Sequence, residues 1–233
     1  MVNNILNQKN ALLDSLRIRG FSEKIVSAFD KVKRENFIPS KLENEAYKDY
    51  PLQIGYGQTI SQPYTIALML NLLDLKDSQK VLEVGSGCGY VLALMSELVG
   101  KKGEVYGIEV IEELAEKSKD NLKLTDYNNI TVYNRNGHLG LDENSPYDRI
   151  IMSAALDKIP TALETQLKEN GLLVAPLNTV HDIGQSLVVF QKIKGELKVQ
   201  RDIPGFIFVP FVEGWRFLIV KIKVSHIMLN IEP

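Results

Sequence analysis

Residues 81–89 read Val-Leu-Glu-Val-Gly-Ser-Gly-Cys-Gly, an apolar strand running into a glycine-rich turn and then a helix. Backbone N–H groups at such a helix start can hold an anion, and glycines let a ligand approach the backbone. The spacing is E-x-G-x-G-x-G, opened by Glu83, carried by Gly85, Gly87 and Gly89, with Ser86 between them. A dinucleotide fingerprint, G-x-G-x-x-G, needs a third glycine where Tyr90 stands. The next strand ends Gly107-Ile108-Glu109, and an acid there can accept both ribose hydroxyls of an adenosine. Asn136-Gly137 follows the strand after that. Its Asn carbonyl can accept from an adenine amino group, although the commonest meaning of Asn-Gly is a turn.

Other reactive side chains are sparse. Cys88 is the one cysteine, so no internal disulfide and no structural zinc site is expected. It begins a helix, where thiolates are favoured; the plainer reading is a small buried residue. His138, His181 and His226 lie far apart, and no metal site is expected from them. Ser61 precedes Gln62-Pro63 and reads as a helix N-cap, a role that can coexist with chemistry where the backbone caps and the hydroxyl points into a site.

These residues need a scaffold, and the composition allows one. The chain has 233 residues, 45% of them hydrophobic and 24% charged, which excludes intrinsic disorder. Lys plus Arg number 27 against 29 Asp plus Glu, a net charge of −2, so nucleic acid is not an expected partner. No apolar run is long enough for a membrane span and the N-terminus has no signal-peptide core, so the expectation is a soluble cytoplasmic protein.

Two helices open the chain, the second capped by Ser22 and burying Ile25, Val26, Phe29 and Val32. Residues 41–61 read as loop, and a helix follows over 62–73 with Pro63 in its first turn. From Lys80 strands and helices alternate, which predicts a doubly wound α/β fold with a mostly parallel sheet. After Gln185 the pattern is strand-only, over 187–193, 197–201, 206–211 and 217–224, with a hairpin at Gly195-Glu196 and an antiparallel C-terminal part. The organisation expected is one domain over 1–233. Within it, 1–61 form a helical cap and substrate loop, 62–185 the cofactor-binding core, and 186–233 the C-terminal strands.

The E-x-G-x-G-x-G form resembles the first motif of class I S-adenosylmethionine-dependent methyltransferases. Residues 49–64, DYPLQIGYGQTISQPY, narrow this further. They resemble the protein-L-isoaspartate (D-aspartate) O-methyltransferase family, which carries a near-identical G-Q-T-I-S-Q-P-[YH] run. The resemblance continues through VLEVGSGCGY, VYGIEVI, the Asn-Gly step, YDRIIMSAAL and the closing FVPFV, and so covers nearly the whole chain.

That resemblance implies methyl transfer from S-adenosylmethionine, leaving S-adenosylhomocysteine, to the free α-carboxylate of isoaspartyl residues in damaged proteins and peptides. The ester then collapses to a succinimide, whose hydrolysis returns some aspartate. It implies Ser61 as the active-site hydroxyl beside the reacting carboxylate. Thr59 and Ile60 would line the passage between cofactor and substrate, with Gln58 and Tyr64 close by. Glu83, Gly85, Ser86, Gly87 and Gly89 would form the cofactor loop, Glu109 would take the ribose, and Asn136 with Gly137 the adenine. Val209 would make a backbone contact to the peptide, alongside Thr59 and Ser61. A monomer is expected. Two alternatives share the motifs: a methyltransferase tailoring one biosynthetic peptide, and a cofactor-binding adaptor without catalysis.

The chain departs from the family pattern at two places. Asn136 stands where the family has Asp, which predicts weaker cofactor affinity, and Asn-Gly is the step most prone to deamidation. Cys88 stands where Ser or Thr is usual. The aromatics Phe206, Phe208, Phe211, Trp215 and Phe217 read as core, and His138 as a solvated loop residue.

Overall fold

Helices α1 (Val2–Ile18) and α2 (Glu23–Lys31) each bury one face. The Ser22 hydroxyl caps α2 by accepting the Ile25 N–H at 3.4 Å, and Ile25, Val26 and Phe29 are buried. The computed structural model describes residues 2–179 and 184–212.

The stretch expected to be loop is more ordered than its composition suggests. Two short 3₁₀ turns, Arg34–Phe37 and Ser40–Glu45, lead into a hairpin of β1 (Leu52–Gly55) and β2 (Gln58–Ile60). Leu52, Ile54 and Ile60 turn inward, so the hairpin has one buried face. Its turn is Tyr56-Gly57, both at positive φ (54° and 72°), the backbone a tight antiparallel hairpin needs. Tyrosine is an unusual residue there, and the strands are three and four residues long, so the sequence pattern is faint.

Helix α3 (Pro63–Leu73) corrects a second expectation. Its N-cap is Gln62, not Ser61, and the Gln62 side chain makes no capping bond. The Tyr64 N–H is instead accepted by Asp49 Oδ1 at 2.9 Å, from a loop fifteen positions earlier. Asp49 also accepts Gln62 Nε2 on its carbonyl at 3.0 Å, so one residue anchors the whole entry into α3.

The remaining elements wind the sheet: β3 (Lys80–Val84), α4 (Tyr90–Val99), β4 (Glu104–Glu109), α5 (Glu112–Lys123), β5 (Ile130–Asn134), β6 (Tyr147–Met152), α6 (Thr161–Gln166), β7 (Leu167–Asn178), β8 (Gln185–Ile193) and β9 (Glu196–Phe206). The seven-stranded order is β5-β4-β3-β6-β7-β8-β9, parallel from β5 to β7 and antiparallel across β8 and β9. This is the expected doubly wound fold. Strand β3 is central, and its Val81, Leu82 and Val84 are fully buried, as both-face coverage of a parallel strand requires.

The C-terminal expectations need adjustment. The β8–β9 turn is Lys194-Gly195, both at positive φ, because Glu196 already pairs with Ile193. No strand spans 206–211: Phe206 ends β9, and Pro210 makes a single bridge to Ala155. The strand expected at 217–224, with Trp215, Phe217, His181 and His226, lies outside the described residues.

Because Asp49 rather than Ser61 caps α3, Asp49→Ala should lower stability by about 1 kcal/mol in urea denaturation. An unchanged midpoint would show that the cap is dispensable.

Candidate active site

The chain leaves β3 for β4 on one side and later returns to β6 on the other, so β3 is the switch point of the sheet. Ligands of open α/β sheets bind beyond the carboxyl ends of strands at such a point. Here the glycine loop emerges. Gly85 and Ser86 donate their N–H groups to the Ile108 carbonyl at 2.8 and 3.0 Å, folding the loop over the end of β4. Gly85 and Gly87 sit at φ of 83° and 52°, where a side chain would strain the turn. Gly89, at φ 88°, is the N-cap of α4. A Cβ there would lie 2.4 Å from Ser118 Oγ, so Gly89 lets α4 pack on α5 and does not line the cavity.

A cavity of about 770 Å³, its open mouth included, lies over this loop. That volume lies in the range of small-molecule sites. Gln58, Thr59, Ile60 and Ser61 reach it from β2 and the residue beyond. Glu83, Gly85, Ser86 and Gly87 reach it from β3 and the loop, and Glu109, Gly137 and Val209 from three further segments. Sequence reasoning missed Ile54, Ile111, Ser153, Ala154 and Phe211, which also line it. Tyr64, Gly89 and Asn136 are not on its wall. The Asn136 side chain accepts the His138 N–H at 2.9 Å and caps a short 3₁₀ turn, Gly137–Leu139. Gly137 instead meets the cavity, in a space where a Cβ would be 2.4 Å from Val84. His138 is exposed, its ring centre 6.1 Å from that of Phe211.

Two buried carboxyls dominate the electrostatics. Glu109 accepts Gly87 N–H on Oε2 at 2.8 Å and Ile111 N–H on Oε1 at 2.9 Å. It thereby ties the glycine loop to the start of α5. Burial pushes its pKa up, and these backbone donors hold it back. A carboxylate has about four acceptor sites, so two remain for a ligand. Glu83 is fully buried; its Oε1 accepts from Ser153 Oγ at 2.6 Å, while Oε2 has no partner among the described residues. Burial, opposed by Ser153, raises its pKa to about 8. Ser86 Oγ is likewise buried without a partner. Cys88 does not begin the helix as expected, since it precedes the Gly89 N-cap of α4, and burial pushes its thiol up to about 11, so no thiolate forms at neutral pH.

Ser61 is held by a residue the sequence did not single out. Arg34 is fully buried, and its guanidinium donates to four carbonyls: Ala46 at 3.1 Å, Lys48 at 3.3 Å, Tyr50 at 3.4 Å and Ser61 at 3.0 Å. Among the described residues it has no carboxylate within ion-pair distance. The clamp leaves Ser61 on the cavity wall.

Ser61, Thr59 and Val209 also line a second cavity that holds Tyr64, Arg19, Phe206 and Phe208. The Val209 carbonyl accepts Ala155 N–H at 2.9 Å, and Phe211 N–H donates to the Ala155 carbonyl at 2.7 Å. These bonds fix the segment that separates the two spaces, and Val209 keeps its N–H uncommitted among the described residues.

A parallel sheet with its switch point at β3, an E-x-G-x-G-x-G loop over that point and an acid ending β4 define a class I S-adenosylmethionine-dependent methyltransferase. The residues present fit that cofactor. Glu83 Oε2 is an unpartnered acceptor for an ammonium, and Glu109 retains acceptor sites for hydroxyls. The family model for protein-L-isoaspartate(D-aspartate) O-methyltransferase matches residues 7–216. A protein-L-isoaspartate O-methyltransferase of Methanothrix thermoacetophila is 44% identical over 210 residues, 90% of this chain and 97% of its own. A solved protein-L-isoaspartate O-methyltransferase superposes with a TM-score of 0.81 at 30% identity, covering 88% of this chain and 66% of that one. A Plasmodium falciparum structure presented as a beta-aspartate methyltransferase in complex with S-adenosyl-L-homocysteine gives 0.75 at 26%, over 87% and 97%. The chain belongs to the protein-L-isoaspartate (D-aspartate) O-methyltransferase family.

Arg34→Met would leave four carbonyls without their donor and should lower stability by about 3 kcal/mol or more in denaturant titration; a change below about 1 kcal/mol would refute the clamp. Glu83 binds its proton more tightly folded than unfolded. Stability of the cofactor-free protein should therefore fall as pH rises from the ordinary glutamate value of 4.5 to about 8. Melting temperature against pH checks this: Glu83→Gln should flatten the slope, leaving the smaller part due to Glu109, and an equally steep slope in the variant would contradict it.

Proposed function

We propose that this protein transfers a methyl group from S-adenosylmethionine to the free α-carboxylate of L-isoaspartyl residues, opening repair through a succinimide. The observation that carries the reading is the seam between the two cavities. Thr59, Ser61 and Val209 line both, so a group entering from the second space meets the first at the Ser61 hydroxyl. The reading includes a cytoplasmic monomer acting on peptides and proteins. The net charge of −2 supports protein rather than nucleic acid as the target.

When bound, the cofactor supplies a methyl already activated on a sulfonium. The acceptor carboxylate is ionised at neutral pH, so no side chain has to remove a proton. The protein's task is placement and exclusion of water. Positioning of this kind can supply up to about 7–11 kcal/mol of a barrier. The Ser61 hydroxyl donates a hydrogen bond to one carboxylate oxygen and leaves the other to attack. Val209 donates its backbone N–H to the peptide. Thr59 and Ile60 form the passage, flanked by Gln58, while Tyr64 faces the peptide side. Glu83, Gly85, Ser86 and Gly87 would hold the amino-acid portion of the cofactor and Glu109 its ribose. Gly137 admits the adenine, and Asn136 shapes that edge by capping the turn behind it.

The test is methyl transfer from labelled S-adenosylmethionine to two peptides that differ only in isoaspartate against aspartate. Label on the isoaspartyl peptide alone is expected, and equal label or none would refute the reading. Because Ser61 is not the α3 cap, Ser61→Ala should lower kcat by about tenfold or more with little change in melting temperature. Loss of stability without loss of kcat would assign Ser61 a structural role instead.

A further inference from the structure

The second cavity holds a cation that the methyl transfer itself does not use. Arg19 lines it with Tyr64, Phe206 and Phe208, and the cavity continues to the seam at Thr59, Ser61 and Val209. The guanidinium carbon of Arg19 lies 4.4 Å from the centre of the Tyr64 ring. Stacking of this kind keeps the planar group oriented. One edge of the guanidinium meets Asp49 Oδ2 at 3.4 Å, longer than the roughly 2.7–2.9 Å of a charge-assisted bond. Asp49 is also committed through Oδ1 to the Tyr64 N–H. The Arg19 side chain is 43% exposed and has no further polar side-chain partner among the described residues. Its remaining N–H donors are therefore unanswered among those residues, and the residue itself lines the space that leads to Ser61. The other walls mix neutral polar residues, Thr59, Ser61, Gln62 and Thr65, with apolar and aromatic ones, so Arg19 is the one charged side chain among the described residues that line the space.

We infer that Arg19 is a subsite for a carboxylate on the peptide, carried by a residue flanking the isoaspartyl position. The inference rests on the methyl-transfer reading above and names a preference within it. An acidic side chain and a free C-terminus offer the same chemistry. A planar, always-charged guanidinium suits either, because it can donate two parallel N–H bonds to a carboxylate. Arg19 is then a specificity determinant that favours isoaspartyl sites in acidic surroundings.

The experiment uses the full chain and a set of isoaspartyl peptides with amidated C-termini. Each carries Glu or Gln at one of the two positions on either side of the isoaspartate. A further neutral pair compares a free with an amidated C-terminus close to the isoaspartate. At one position Glu should raise kcat/KM by about twofold to fivefold over Gln, acting through KM and fading as salt is added. If the free C-terminus alone is favoured, that is the source of the carboxylate. Arg19→Glu should reverse the preference, so that Lys is favoured over Gln at the same position, and Arg19→Lys should keep it in weaker form. Both are ratios between peptides on one variant, so a general loss of stability does not imitate them. Equal rates within every Glu/Gln pair and also within the free/amidated pair in the parent protein would overturn the subsite, and so would a carboxylate preference that survives in Arg19→Glu. Failure of every isoaspartyl peptide to accept methyl would overturn the methyl-transfer reading, and the subsite with it.

Discussion

A fully buried guanidinium must have its donors met by the protein, and at Arg34 four backbone carbonyls take those of the two terminal nitrogens, Nε alone having no partner among the described residues. Leaving those groups unpaired would cost more than the bonds return, so the demand works in both directions. It ties down the carbonyls of Ala46, Lys48 and Tyr50 and fixes that of Ser61, twenty-seven positions away in the chain. Burial holds the Arg34 pKa below the ordinary arginine value, yet a guanidinium stays charged at any pH the fold survives. The cap formed by the first helices is thus not an ornament on the sheet. The turn that follows α2 carries the cation that holds the Ser61 backbone at the seam between the two cavities.

A second constraint sits across that seam. The Glu109 carboxylate accepts one N–H from the glycine loop and one from the start of α5. The loop after β3 and the helix after β4 are therefore held by the group that the family resemblance assigns to the ribose. Close by, Glu83 is buried with one oxygen unanswered. A buried acceptor without a donor costs stability, and a ligand that brings a donor recovers it. The cofactor-free fold in this way stores an incentive to bind a cation-bearing ligand.

What the sequence showed followed the range of the interactions. The glycine loop, the acid ending β4 and the Asn-Gly step are compact signals, read within a few residues, and the doubly wound order follows from alternating periodicity. The Ser61 segment was legible as a run of identities, since spacing alone offered only a helix cap. That cap was misread because the group that supplies it, Asp49, stands fifteen positions upstream and is brought in by the hairpin. The hairpin was hidden by Tyr56, a residue that seldom adopts positive φ. Arg34 lies in the run Lys-Val-Lys-Arg-Glu-Asn and looks like surface charge; only the folded chain shows which of these basic groups goes inside. Phe211 reads as core in one dimension and lines the cavity in three, because the 208–211 segment is stitched to Ala155.

The central claim concerns a repair, and the most direct measurement follows the fate of the substrate's backbone. An isoaspartyl peptide would be incubated with the protein and excess S-adenosylmethionine, and its isomers separated over time. The account predicts a methyl ester, then a succinimide, then a rising share of the aspartyl peptide, with more than one cofactor consumed per peptide restored. A stable methyl ester that never yields the aspartyl form, or a methyl group on any atom other than the isoaspartyl α-carboxylate, would contradict it.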